Sequence, residues 1–167
     1  MDSRAHGRSS SSSVNITYDL MTSDVVSLLD YLGFSKIHFV GWSDGGIIGL
    51  NLAMNYPDTL YSLFAFAAHY YSSGGNNAYM PPVFAAYFKR TQAEYEAFNP
   101  NKPYEIFLND LLTMWANYPK WAKVDFEKIP SDLPVWIVAG DHEEVINREQ
   151  TDTMAGWISQ AGELILL

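Results

Sequence analysis

The sequence contains no cysteine among its 167 residues. This absence excludes disulfides, thiolate zinc sites, iron–sulfur clusters and a cysteine nucleophile. Basic residues are also scarce, with 10 Lys and Arg against 19 Asp and Glu, for a net charge of −9. Because so acidic a chain repels phosphate backbones and carries no cluster of basic residues, nucleic acid is not an expected partner.

Long apolar runs and a secretory signal are absent as well. No run reaches the length needed to cross a bilayer, so no membrane span is expected. The N-terminus is polar, and together with the lack of cysteine this favours a cytoplasmic location. Hydrophobic residues make up 48% of the chain and charged residues 17%, a balance typical of a globular domain. The length fits one domain with a single core.

Strand and helix patterns alternate along the first part of the chain. Apolar spacing of three and four residues predicts a helix from Thr17 to Gly33, followed by a short strand over residues 37–40. A second apolar helix ends before Pro57, and a strand covers residues 60–68. This order predicts an α/β fold with a mostly parallel sheet and helices on both faces.

The alternation stops over residues 70–130, which are rich in proline and aromatic residues and predict an insertion of short helices. It resumes with a buried strand over residues 133–139, a helix over 148–160 and a final strand over 163–167. We therefore predict one domain in three parts, which are a core over 1–69, a helical insertion over 70–130, and a second core segment over 131–167.

The segment from Gly41 to Gly45 reads Gly-Trp-Ser-Asp-Gly and fits the pattern G-x-S-x-G. It lies between a predicted strand and a predicted helix, which is the setting of a strained turn that exposes a nucleophilic serine. Ser43 is then the candidate nucleophile. The backbone N–H of Asp44, at the start of the helix, is a candidate oxyanion donor.

A dinucleotide-binding turn is the alternative at the same junction. Gly41, Ser43 and Gly46 occupy the three glycine positions of G-x-G-x-x-G. Serine stands where the middle glycine lets a pyrophosphate approach, and alanines occupy the end of the next strand, where an acidic residue is expected. The nucleophile turn is therefore favoured.

Several motifs resemble those of the α/β-hydrolase family over nearly the whole chain. Residues 2–9 resemble the D-x-R-G-H-G-x-S turn of these enzymes, with Ala5 in place of the usual glycine, and residues 16–32 resemble the helix that follows it. Residues 37–46 resemble the strand and turn of the nucleophile, and 133–140 the strand that presents the triad acid. The resemblance implies a partial α/β-hydrolase fold with residues 70–130 as a helical lid. It also implies a serine hydrolase that cleaves an ester, lactone or related carbonyl substrate through an acyl-enzyme at Ser43.

The resemblance leaves two candidates for the acid of the triad. In the segment Gly-Asp-His-Glu-Glu from Gly140, the family spacing favours Glu143, and Asp141 is the competitor. The substrate pocket is expected to include Trp42 beside the nucleophile, His69 after a strand, and Trp115 among the aromatic residues of the lid. A small apolar ester-like molecule is the expected ligand.

A histidine base is missing from its expected place after Glu143. His6 belongs to the turn motif and is expected to brace a loop, His38 to pack within a strand, and His142 falls out of the family order. The chain resembles a family member truncated at both ends, and little or no hydrolysis is expected from it alone.

The sequence also bears on metal binding, self-association and alternative functions. His69, His142 and Asp141 do not have the spacing of metal ligands, so neither a metal nor a cofactor is expected. Loss of the strands beside residues 37–40 would leave a hydrophobic sheet edge, so the isolated chain is expected to be marginally stable or oligomeric. The alternative function is ligand binding without catalysis. Transfer of the acyl group to an alcohol or amine is a third, less favoured function.

Overall fold

A computed structural model describes residues 1–10, 14–75, 81–99 and 102–166. Its centre is a four-stranded sheet in the order β1-β2-β3-β4, and every neighbouring pair is parallel. The strands are β1 (Ile37–Trp42), β2 (Leu60–Phe66), β3 (Val135–Gly140) and β4 (Gly162–Leu166). The predicted strands are thus all present, with Leu167 lying outside the described residues.

Helices connect the strands. They are α1 (Tyr18–Leu32), α2 (Asp44–Asn55), α3 (Pro82–Phe98), α4 (Tyr104–Asn117), α5 (Lys123–Phe126) and α6 (Arg148–Trp157). The helices α3, α4 and α5 all lie between β2 and β3, in the segment that the sequence predicts to be helical. None of the helices in the described ranges is long and apolar enough to cross a membrane.

Helix α1 has the ends that its sequence predicts. The Thr17 side chain accepts a hydrogen bond from the Leu20 N–H at 3.1 Å and caps the N-terminus. Gly33 ends the helix with a φ of 75°, in the left-handed region that glycine adopts at low cost.

The core lies between the sheet and helices α1, α2 and α6. Helix α2 is buried on nearly all sides, with Leu50, Leu52 and Ala53 fully inaccessible to solvent. Gly49 allows this helix to approach the sheet, because a Cβ at this position would lie 2.5 Å from Leu63 and 2.9 Å from Phe39. A helix so enclosed holds its N-terminus, where Ser43 stands, in a fixed position.

The α/β class with a parallel sheet is confirmed, but the coverage of the sheet differs from the prediction. Leu63 and Ile137 point into the core that α2 and α6 share, on one face of the sheet. On the opposite face Val40 is 75% exposed and Trp136 46% exposed. Within the described residues, the helices that contact the sheet therefore pack on a single face. Strand β1 is an edge strand, and self-association through it stays a prediction.

Candidate active site

The candidate residues follow the carboxyl ends of three neighbouring strands. Ser43 comes directly after β1, His69 follows β2, and Asp141 and Glu143 follow β3. Because the strands are parallel, these ends meet at one edge of the sheet, where open α/β sheets bind ligands.

Ser43 occupies a strained turn between β1 and α2. Its φ is 54° and its ψ −120°, a conformation that is costly for a residue with a Cβ. The turn is held by two hydrogen bonds, from the Ser43 N–H to the Phe66 carbonyl at 2.8 Å and from the Ile47 N–H to the Ser43 carbonyl at 3.1 Å. Asp44 is the first helical residue, so its N–H belongs to the group that has no acceptor within the helix.

Ser43 lines a cavity of about 590 Å³ that we call the aromatic cavity. Its walls come from the Ser43 turn, from helices α3 and α4, and from the N-terminal turn of residues 2–9. The rings that line it are Trp42, Phe84, Tyr87, Phe88, Tyr95, Phe98, Tyr104, Phe107 and Trp115. The structure thus brings the predicted pocket residues Trp42 and Trp115 together with Ser43, in a space that fits a small organic ligand.

Ser43 also lines a second cavity, of about 480 Å³, that we call the acidic cavity. Its charged and titratable wall is the loop after β3, with Asp141, His142, Glu143 and Glu144. The nucleophile candidate therefore stands between an aromatic space and a space lined by both candidate triad acids.

The two candidate acids have different partners. Glu143 accepts hydrogen bonds through Oε1 from the N–H groups of Val145 at 2.9 Å and Ile146 at 3.2 Å. Asp141 contacts the Nδ1 of His142 at 2.6 Å, and the His142 side chain is 94% exposed. Since both carboxylates line the cavity that contains Ser43, the choice between them stays open.

The Asp44 carboxylate is a feature of the site that the sequence did not indicate. Its Oδ1 accepts hydrogen bonds from the Tyr18 hydroxyl at 2.7 Å and from Trp115 Nε1 at 3.1 Å. Its Oδ2 accepts from Trp115 Nε1 at 2.8 Å. Burial and the Asp44 charge raise the pKa of Tyr18, which keeps the phenol neutral as a donor. No spacing in the sequence pairs these three residues, because they come from α1, α2 and α4.

Comparison with known proteins identifies the family. The family model for the alpha/beta hydrolase fold matches residues 1–130. The chain belongs to the α/β-hydrolase family.

Curated relatives of this α/β-hydrolase match over short stretches. A putative carbamate hydrolase RutD from Caulobacter sp. (strain K31) is 43% identical over 63 residues, which are 37% of this chain and 24% of that protein. The serine hydrolase BPHL of Homo sapiens is 40% identical over 48 residues, or 29% of this chain and 16% of that protein. The match thus spans a quarter or less of the length of these relatives.

Solved structures show the same fold over most of the chain. The alpha/beta hydrolase MGS-M2, from a Medee basin deep-sea metagenome library, superposes with a TM-score of 0.73 at 17% identity. That alignment covers 99% of this chain and 69% of the other. At this level of identity the likeness describes the fold alone.

His69 does not line either cavity of this α/β-hydrolase. Its Nδ1 is buried and has no hydrogen-bond partner within the described residues. Burial lowers the pKa of His69, while the Asp44 charge and a hydrogen bond with the Tyr118 backbone act weakly in the opposite direction. The ring is therefore neutral at pH 7, and His69 is not part of the pocket wall in which the sequence predicts it.

Replacement of His69 by glutamine is expected to reduce the loss of stability on acidification. As the pH falls below the ordinary value of 6.5, the unfolded chain takes up a proton that folded His69 resists, so the folded state loses stability. The change in melting temperature between pH 7.5 and pH 5 measures the effect, and His69→Gln should show the smaller drop. His38→Gln removes an exposed histidine and serves as the control. If both variants reduced the drop in melting temperature equally, His69 would not be the source of the acid sensitivity.

The other histidines have hydrogen-bond partners other than Ser43, although His6 lines the aromatic cavity and His142 lines the acidic cavity. His6 bonds the Arg4 carbonyl through Nδ1 at 2.9 Å, which agrees with its predicted bracing of the turn. His38 is exposed and contacts Ser62 Oγ at 2.8 Å, so the prediction that it is packed within its strand is wrong, because its face of the sheet is uncovered in the described residues. In the described parts of the chain no histidine hydrogen-bonds Ser43.

A metal site finds no support in the side chains. The described residues contain no group of three or more His, Asp or Glu side chains placed to hold a metal ion.

Proposed function

We propose that this chain forms the core of a serine hydrolase that cleaves an ester, lactone or related carbonyl substrate through an acyl-enzyme at Ser43. The observation that carries the proposal is the strained serine at the N-terminus of a buried helix, at the junction of two cavities. A serine in this geometry presents its hydroxyl to a ligand and has helix N–H groups beside it.

In the proposed reaction, Ser43 Oγ attacks the carbonyl carbon while an imidazole base takes the hydroxyl proton. The same imidazole returns this proton to the leaving group, and water then hydrolyses the acyl-enzyme by the reverse sequence. The Asp44 N–H holds the negative oxygen of the tetrahedral intermediate. Glu143 or Asp141 orients the imidazole from the acidic cavity, in which Ser43 also stands.

The aromatic cavity supports a binding role for helices α3 and α4. Trp42 of β1 meets Tyr87 of α3 with ring centroids 5.8 Å apart, and Phe88 of α3 meets Trp115 of α4 at 6.3 Å. These rings form an apolar wall above Ser43, which suits an acyl group with apolar surface. Under this proposal α3 and α4 act as the lid of the active site.

The chain itself is expected to hydrolyse activated esters far more slowly than an intact hydrolase. None of its histidines hydrogen-bonds Ser43 in the described structure, and removal of one triad member typically costs several orders of magnitude in rate. A rate normal for an intact serine hydrolase, measured with p-nitrophenyl acetate and lost in Ser43→Ala, would contradict this expectation.

Labelling with a fluorophosphonate tests the nucleophile. We expect slow labelling, located at Ser43 by peptide mass spectrometry and absent in Ser43→Ala. Ser62→Ala is the matched control, because Ser62 has a histidine partner at 2.8 Å but lies in the middle of β2, away from both cavities. Labelling spread over many serines, or unchanged in Ser43→Ala, would overturn the proposal.

A non-catalytic ligand-binding protein is the second candidate, and the lack of a histidine on Ser43 favours it. Such a protein would keep the aromatic cavity and bind apolar molecules there. It would not label at Ser43 under any condition, including an added base.

A further inference from the structure

The Asp44 carboxylate carries a charge that no basic side chain neutralises within the described residues. Its two donors, the Tyr18 hydroxyl and the Trp115 indole, are both uncharged. The nearby His69 is neutral at pH 7, because its burial disfavours the protonated ring. Asp44 is partly buried at the wall of the aromatic cavity, and the N-terminus of α2 and its two neutral donors stabilise the carboxylate in place of a cationic side chain.

The carboxylate also keeps the capacity to accept a further hydrogen bond. Each of its oxygens has two lone pairs, and within the described residues Oδ2 accepts only the Trp115 N–H. Because Trp115 and Asp44 line the same cavity, a ligand can reach this wall from inside. Asp44 thus combines a carboxylate that has no basic side-chain partner in the described residues with an open acceptor beside the nucleophile candidate.

The rings around Asp44 favour the same kind of ligand. Tyr87, which lines the cavity, lies 6.0 Å from Phe88 and 5.9 Å from Phe84 between ring centroids, and Trp115 continues the series. Aromatic faces attract ammonium groups through their negative quadrupole, and a set of rings with a carboxylate is a common arrangement for binding amines. Apolar rings and one charge together select a ligand that has both kinds of surface.

Other charges of the cavity do not oppose a cation. Three carboxylates line it, those of Asp2, Asp44 and Glu94, against the single guanidinium of Arg8. The Arg8 guanidinium stacks over the Phe98 ring at 5.3 Å rather than on Asp44. Arg90 does not line the cavity, but it pairs with Glu94 at 3.4 Å and lies over the Tyr87 ring at 5.6 Å. Phe84, Phe88 and Trp115 have no such cation over their faces within the described residues, and Asp44, the carboxylate that Trp115 hydrogen-bonds, lacks a basic partner there.

We propose that the Asp44 carboxylate binds a protonated amine or quaternary ammonium group of the ligand in the aromatic cavity. This inference rests on the proposed function and narrows its substrates to esters, lactones or related compounds that carry a cationic nitrogen. Since Asp44 directly follows Ser43, that nitrogen lies within a few bonds of the carbonyl under attack. Carboxylate-bearing substrates are disfavoured by the same charge.

Binding of three matched probes tests the proposal without any reaction at Ser43. 2-Phenylethylammonium, 2-phenylethanol and 3-phenylpropionate share a phenyl ring and a short chain and differ in charge. Titrations of the full chain are followed by tryptophan fluorescence, since Trp42 and Trp115 line the cavity. We expect the ammonium compound to bind about tenfold more tightly than the alcohol, and the carboxylate to bind most weakly.

Two variants then test whether Asp44 causes the tighter binding of the ammonium probe. Asp44→Asn should remove the tenfold advantage of the ammonium and leave the affinity for the alcohol unchanged. Asp30→Asn makes the same change of charge at an exposed position outside both cavities and should have no effect. Equal affinities for ammonium and alcohol in the unmodified chain, or a preference that survives in Asp44→Asn, would overturn the proposal, as would the absence of binding by all three probes.

The test of amine binding can fail or succeed independently of the test of the serine hydrolase. Ser43→Ala should keep the ammonium preference while it loses fluorophosphonate labelling. A preference for ammonium in a chain that never labels at Ser43 would leave the binding site standing and remove the hydrolase. Labelling at Ser43 without any preference would do the reverse.

Discussion

Replacement of Gly41 by alanine is expected to prevent the chain from folding. A Cβ at this position would lie 2.2 Å from the Gly45 carbonyl oxygen and 2.6 Å from the Gly46 nitrogen. Ordinary overpacking costs about 1–3 kcal/mol when side chains can move, but here the obstacles are backbone atoms of the turn, so the cost should exceed that range. Far-UV circular dichroism and thermal melting of Gly41→Ala measure the effect.

Gly45→Ala provides the matched control four residues further on. A Cβ there meets nothing within 4 Å, and Gly45 lies inside α2. Alanine favours a helix over glycine by about 1 kcal/mol, so this variant should be as stable as the unmodified chain or slightly more stable. A Gly41→Ala variant that melts within a few degrees of Gly45→Ala would contradict the tight turn that places Ser43.

The turn and its surroundings could be predicted because local rules determine them. The G-x-S-x-G spacing, the apolar strand before it and the apolar helix after it all act within some twenty residues of Ser43. Ala5 shows the same principle, because its φ of 63° explains why the related turn usually has glycine at that position. The parallel sheet follows from the alternation of strands and helices, which leaves little freedom in strand direction.

What the sequence could not predict depends on contacts between distant segments. The Asp44 carboxylate meets Tyr18 and Trp115 only after α1, α2 and α4 pack together. His69 was expected in the pocket because it follows a strand, yet it lines neither cavity. The uncovered sheet face likewise depends on which helices reach the sheet, which the periodicity of single elements does not reveal.

The two faces of the sheet differ in how they are covered. Helices α1, α2 and α6 share a core with one face of the sheet, and α2 begins at the Ser43 turn. The opposite face exposes Val40 and Trp136. Under the proposed function Ser43 needs a base, and no histidine hydrogen-bonds it within the described residues, so a small base added in solution tests the proposal.

Added imidazole is expected to accelerate the labelling of Ser43 by a fluorophosphonate. The acidic cavity, of about 480 Å³, has room for this small base and contains Ser43 and both candidate acids in its wall. A free base is less effective than one fixed by the chain, so we expect an increase of roughly tenfold at tens of millimolar imidazole, against the 10²–10⁴ of a positioned base. The labelling rate of Ser43→Ala should stay at background with or without imidazole.

The same experiment decides which acid orients the base. Glu143 uses Oε1 for backbone N–H groups and makes no hydrogen bond through Oε2 within the described residues, so one oxygen can face an imidazolium. Glu143→Gln should therefore lose most of the acceleration, because an amide does not stabilise the positive ring. Asp141→Asn, two residues away in the same loop, should keep it. The opposite pattern would assign the role to Asp141, and a chain that labels no faster with imidazole than without it would show that the acidic cavity does not hold the base.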